Sequence, residues 1–385
     1  MKKEFKFINY RKYIIIISAL LFSVIVLNIM YRTNTVFATS YSTNIYPYLT
    51  KTFGALWGIF PFSLFEFMII FSIIFILFFL IRLIVIFVKN HKKNNIFFFL
   101  YHLKKYGLNL SIIVLSAILI YSLTCGINYY RLPFSVCANI KTSEHSIDDL
   151  EQLCRILAND LNEYSQHIET DENGIFTTDG IDMEKEASIA MEALALKYPC
   201  LTDFYPNAKP VLFSKFMSYT GISGIYSPYT IEANYNNHMP DLEKPMTICH
   251  ELSHLSGFML EDEANFISYL GCMESKNYAF KYSGTYIAFI YASNAYYEYG
   301  NSEIYKDIMD SLNSQVHKDM EYHSRYWYSD EINISIQIGG EEISMSDVSS
   351  QVNDNYLQMN GQSNGVKSYD HVTDLLLAYY SDQIN

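Results

Sequence analysis

The residues best suited to chemistry stand together in Thr247-Ile248-Cys249-His250-Glu251-Leu252-Ser253-His254. His250 and His254 are four apart, so on a helix both imidazoles lie on one face and can offer nitrogens to a single Zn²⁺. Glu251 lies about 100° around the axis, where its carboxylate reaches a water on that metal. Zinc lowers the pKa of such a water towards about 7, and the carboxylate takes its proton as the water attacks a carbonyl. The implied reaction is metal-assisted hydrolysis of a peptide bond.

Two imidazoles make half a site, because a catalytic zinc takes three protein ligands and keeps one position open. Gly257 can end the helix and let the chain fold back, so that Glu261 or Glu263 reaches the metal. Glu261 is the choice, since Asn265 sits four residues on, on the same face, where it can orient a ligand by hydrogen bonding. Glu263 is the alternative ligand. Tyr226, Glu232, His238 and Tyr282 are candidates for contacts to substrate or to a developing oxyanion, although with 34 Tyr in the chain a scaffold role fits each as well. Cys249 adjoins His250 but points elsewhere on a helix, as a core residue does.

The elements these residues need are a helix, a break and a second helix. Pro245 to Gly257 and Glu261 to Met273 carry helical signals on either side of that break. Upstream, Ser146 followed by acids predicts a helix over 147–164, and Met183 to Lys197 reads as a second, ended by Pro199. From Tyr219 the chain turns to Gly, aromatic and β-branched residues, which is strand and turn chemistry. Residues 221–235 are the candidate edge to which an extended substrate adds as a further strand. Helical signals resume over 283–297 and 302–327 and again over 372–380, and Gly361 to Gly365 reads as a flexible patch.

Three apolar runs, 13–30, 62–88 and 108–125, approach or exceed the roughly 20 residues that span a hydrocarbon core of about 30 Å. The linker between the first two, with Tyr46-Pro47-Tyr48 and Phe60-Pro61-Phe62-Ser63, suits the outer membrane interface. Residues 1–128 hold 13 Lys plus Arg and two acids, leaving 14 basic and 38 acidic groups for the remainder. Five cations precede the first run, two lie in 31–61 and six in 82–105, an alternation that places the N-terminus in the cytoplasm and residues 129–385 outside. The fold class expected is α+β: a membrane domain, 1–128, with three transmembrane helices, then an extracellular, mostly helical, zincin-like domain with a small sheet. The partners expected are the lipid bilayer and a peptide or protein substrate. A C-terminal part near −24 disfavours nucleic acid, and no phosphate loop, nucleotide fingerprint or serine elbow is present. Six cysteines at irregular spacing give no disulfide framework.

The chain resembles a bacterial family of multi-pass membrane proteins grouped as a domain of unknown function and related by motif to gluzincin-type metallopeptidases. The resemblance is carried by Phe60-Pro61-Phe62-Ser63-Leu64, Met217-Ser218-Tyr219-Thr220-Gly221-Ile222 and Glu232-Ala233-Asn234. It continues in His250-Glu251-Leu252-Ser253-His254, Glu261-Asp262-Glu263-Ala264-Asn265-Phe266, Tyr282-Ser283-Gly284, and Asn360-Gly361 with Gly365, Ser368 and Tyr369. The Glu-x-x-Ala-Asn block is similar to that of gluzincins, which implies Glu261 as the third zinc ligand, at a spacing from His254 shorter than in most of them. A metzincin-like ligand set would require His at 260, where this chain has Leu260. The alternative from another class is a membrane sensor, transducer or binding protein with a zincin-like domain and little or no hydrolysis. Against it, a structural zinc is usually closed by four ligands and has no use for Glu251.

Overall fold

Three helices, Tyr10–Thr33, Leu64–His91 and Ile96–Thr124, are long and apolar enough to cross a membrane. Each extends beyond its apolar run at one end or both, because polar residues such as Tyr10, Arg11 and Lys104 continue the helix without ending it, while the second starts at Leu64, two residues inside its run, and the third ends at Thr124, one residue short. The first and third pack together, with Tyr13 Oη donating to Asn109 Oδ1 at 2.8 Å and Asn28 Nδ2 to Ser122 Oγ at 3.4 Å. The computed structural model describes residues 9–91, 96–141, 145–338, 341–360 and 370–384. The Gly361 to Gly365 patch, Ser368, Tyr369 and the cations Lys2, Lys3, Lys6, Lys92 and Lys93 lie outside the described residues.

The linker between the first two long helices is itself helical, as Thr35–Asn44, Tyr46–Leu49, a π-turn at Thr50–Gly54, and Ala55–Gly58. Asn34 starts it by accepting the Phe37 N–H at 3.0 Å, one of the donors a helix N-terminus leaves free.

Beyond the third long helix, Ser146 and Asp149 form a capping box that starts Ile147–Tyr164. Its buried face, Leu150, Leu153, Cys154, Leu157 and Leu161, packs against helix Tyr278–Tyr299. Helix Met183–Lys197 packs against Glu261–Glu274. The segment 302–327 is two helices, Ser302–Asp310 and Ser314–Trp327, because Asn313 caps the second and ties the break to Ser165 Oγ at 2.6 Å. The tail is helical over Asp370–Ile384.

A three-stranded sheet has β3 (Glu232–Tyr235) at its centre, β1 (Lys209–Pro210) parallel on one side and β2 (Gly224–Ser227) antiparallel on the other. In register, Gly224 faces Tyr235 and Ser227 faces Glu232. A separate hairpin, β4 (Ser335–Ile338) with β5 (Glu341–Ser344), leads into helix Met345–Met359.

Two carboxylates lock the sheet to the start of the second long helix. Glu232 accepts the Leu64 and Phe65 N–H groups at 3.3 and 2.9 Å, free donors at that N-terminus. It also pairs with Lys209, whose Nζ donates to the Trp57 carbonyl at 2.8 Å. In return Glu66 accepts the Leu212 and Phe213 N–H groups at 2.9 and 2.8 Å. A further tie absent from the sequence reading is the disulfide Cys137–Cys200.

Both members of the Lys209–Glu232 pair are buried, so removing one leaves the other charge uncompensated. Glu232→Ala is expected to cost about 3–5 kcal/mol, read as a lower thermal midpoint in detergent, with Lys209→Met/Glu232→Leu recovering part of it. A loss below about 1 kcal/mol, the range of an exposed ion pair, would show that this lock does not hold the sheet.

Candidate metal centre

The two imidazoles stand on helix Lys244–Leu255, which Pro245 opens at a position where no N–H is needed. Gly257 ends it at φ +89°, a conformation that suits glycine, and an added Cβ there would meet Tyr46 and Arg131 at 3.2 Å. The chain then runs through Phe258, Met259 and Leu260 into helix Glu261–Glu274.

This break brings Glu261 back over the imidazoles. His250 Nε2 lies 3.2 Å from Glu261 Oε2 and His254 Nε2 lies 3.5 Å from Glu261 Oε1. The two imidazole rings are perpendicular with centroids 4.6 Å apart, and one donor atom from each of the three residues falls within 4.8 Å of the others. His254 Nδ1 is 2.8 Å from the Phe258 carbonyl, which accepts a hydrogen there, so that in the neutral imidazole Nε2 carries the lone pair.

Burial by itself would lower the His254 pKa, but the Glu261 charge outweighs it and raises the imidazole to about 9. Burial likewise opposes ionisation of Glu261, and His254 and His250 reverse that, holding its carboxyl well below the usual range. Glu251 is pushed up to about 7 by burial, against the pull of the two imidazoles. Its Oε2 has no hydrogen-bond partner among the described residues. Gly224 on β2 lies over it: a Cβ at that position would stand 2.7 Å from Glu251 Cγ.

Glu263 is turned away. Its Oε1 accepts the Phe134 N–H at 2.6 Å, and burial pushes its pKa up to about 8. Asn265, one turn beyond Glu261, is buried with Nδ2 unpartnered among the described residues. Tyr226 borders the cluster, its ring centroid 6.5 Å from that of His254, with its hydroxyl on Tyr46 at 2.7 Å and the Thr124 carbonyl at 3.1 Å. The other three residues stand elsewhere: Glu232 in the lock on the second long helix, Tyr282 donating to Asp319 Oδ2 at 2.8 Å in the core, and His238 exposed beside Tyr326 Oη at 2.7 Å.

Sequence reasoning missed Gly224, the Phe258 carbonyl and the apolar group Cys125, Tyr129 and Met259 beneath the cluster. The short Gly-x-x-Gly run at 221–224 was a signal for the first, as a place where backbone approaches a neighbour closely. The others depend on a fold-back that no local pattern encodes.

No curated protein and no solved structure matches this chain. The family described as "Protein of unknown function (DUF3810)" matches it over residues 41–377, which includes most of the linker after the first long helix, the sheet and both helices of the candidate metal centre. The chain belongs to that family.

Proposed function

We propose that this protein is a membrane-anchored zinc metallopeptidase with a gluzincin-like site, its ligands being His250, His254 and Glu261. The observation that carries the reading is the convergence of these three donors within 4.8 Å beside a buried carboxylate with one oxygen unpartnered among the described residues. Two imidazole nitrogens and one carboxylate oxygen are a donor set that suits zinc and leaves a position open. When bound, zinc supplies Lewis-acid polarisation of a carbonyl and a water that ionises near neutral pH.

The remaining work belongs to the chain. Glu251 accepts a proton from the attacking water at Oε2 and returns it to the leaving amine, a task suited to a carboxyl raised to about 7. The Phe258 carbonyl fixes the His254 tautomer. Gly224 leaves room for Glu251 at the sheet edge, where an extended substrate adds to β2.

The three long apolar helices anchor the chain, with the N-terminus cytoplasmic and the metal centre outside. The Cys137–Cys200 disulfide supports that side, since disulfides persist in oxidising compartments. A reporter that works only outside the cytoplasm is expected to be active when fused after Asn385, and activity of a cytoplasm-only reporter there would reverse the orientation.

Purified protein is expected to hold about one zinc, which His250→Ala reduces to near zero and Glu261→Gln weakens. Glu263→Gln should keep the metal, because the amide oxygen still accepts the Phe134 N–H. Loss of zinc in Glu263→Gln with retention in Glu261→Gln would exchange their roles.

Glu251→Gln is expected to retain zinc and lose hydrolysis by about 100-fold or more, since an amide cannot take the proton. Gly224→Ala should do likewise by displacing Glu251, a misplacement that costs about 100-fold. Full activity in Glu251→Gln refutes the general-base assignment, and full activity in Gly224→Ala the role given to the glycine.

A further inference from the structure

We infer that the site acts on polypeptides at the membrane surface, addressing a bond within about three residues of the bilayer at 3.3 Å per extended residue. The inference rests on the peptidase reading above and adds to it the position of the site along the apolar helices.

Each long helix carries its own ruler. Lys12 and Arg32 in the first are about 20 residues apart, roughly 30 Å at 1.5 Å per residue, which is the thickness of the hydrocarbon core. Arg82 to Leu64 in the second and Lys105 to Thr124 in the third span roughly 27–29 Å. Arg32, Leu64 and Thr124 therefore mark one and the same face of the bilayer. The Arg32 guanidinium lies 5.1 Å from the Tyr130 ring centroid and 6.0 Å from that of Tyr31, the amphipathic pairing that favours an interface.

The metal centre is built on that face. Tyr226 bridges the two, its hydroxyl donating to the Thr124 carbonyl at 3.1 Å while its ring borders His254. Cys125 Sγ is 3.6 Å from Met259 Sδ, in the link between the two ligand-bearing helices. Thr50 Oγ1 lies 3.5 Å from the Leu255 carbonyl at the end of the imidazole-bearing helix.

The edge strand β2 runs between these points, and no described strand pairs with its outer side. Gly224 lies over Glu251, and Tyr226, two residues or about 7 Å further, reaches the end of the third long helix. A chain added to that edge thus passes the candidate base at one residue and the bilayer face two residues later.

Leu212, Phe213 and Phe216, exposed by 68, 61 and 56 %, hold this arrangement down. Glu66 fixes the first two against the first turn of the second long helix, at the level of Leu64, with Ile59 exposed nearby in sequence. Lipid continuous with that helix is the occupant that covers them.

The test uses the full chain, zinc-loaded, in zwitterionic phospholipid vesicles. A fluorogenic random-decapeptide library is offered joined directly to a lipid headgroup, joined through a flexible spacer of about 25 residues, and free. The direct form is expected to be cleaved about tenfold or more faster than the spaced form, which shares its surface concentration. Equal rates for those two overturn the inference and leave the peptidase reading standing. No cleavage of any form overturns both.

A second readout is independent of activity. The four free cysteines are buried, so an introduced surface cysteine labels selectively. Bimane on Tyr229→Cys, just beyond β2, and on Leu212→Cys should be quenched by a headgroup nitroxide, whereas bimane on Tyr297→Cys should not. Absence of quenching at the first two, in protein that retains its zinc, overturns the inference whatever the cleavage rates.

Discussion

The candidate metal centre hangs on one buried cation. The Arg131 guanidinium donates to the Ser256 carbonyl at 3.4 Å, the Gly257 carbonyl at 3.2 Å and the Cys200 carbonyl at 3.2 Å, and lies 3.8 Å from the centre of the Phe258 ring. The first two carbonyls belong to the helix end that carries both imidazoles, where backbone acceptors have no helical partner and the dipole is negative. Burial lowers Arg131 to about 10, which leaves it charged at neutral pH, and the neighbouring Glu263 offsets part of that lowering. By fixing Gly257 and Phe258, Arg131 fixes the carbonyl that orients His254. It does so from the segment just after the third long helix, so one contact joins the geometry of the two imidazoles to the long apolar helices.

The buried carboxylates show how neighbours divide labour among like groups. Glu66, Glu232 and Glu263 each accept backbone N–H groups, which repay part of the cost of burial. Glu261 faces two imidazoles, and Glu251 retains an oxygen with no partner among the described residues. Glu261 and Glu263 differ by two positions, about 200° on a helix. That rotation alone sends one to the imidazoles and the other to the Phe134 N–H.

What the sequence made legible was local. The capping box at Ser146, the 3.6-residue periodicity of 147–161 and the glycine break after His254 act within a turn or two, and the structure carries each of them. The hairpin β4–β5 was not read from the sequence, because its short strands sit among polar residues. Strand β1, two residues long and including a proline, offers no period to read. Glu232 was misleading for a physical reason: a carboxylate near a candidate site in sequence gives no sign of which distant N–H groups it satisfies.

Composition changes sharply near residue 128, but packing runs across that point. Tyr46 and Thr50 from the first linker touch Tyr226 and Leu255, Cys125 touches Met259, and the helix Met345–Met359 returns to the same place. There Tyr356 Oη lies 3.1 Å from Tyr121 Oη and 3.6 Å from Cys125 Sγ, and Arg32 donates to the Met359 carbonyl at 3.4 Å. The floor of the candidate metal centre is therefore assembled from segments more than 300 residues apart in the chain. Contacts of such separation form after the long loops between them have closed. The imidazole-bearing helix thus carries local signals of its own in Pro245 and Gly257, whereas the position of Gly257, and with it the approach of Glu261, depends on Tyr46 and Arg131, which flank the long apolar helices in sequence.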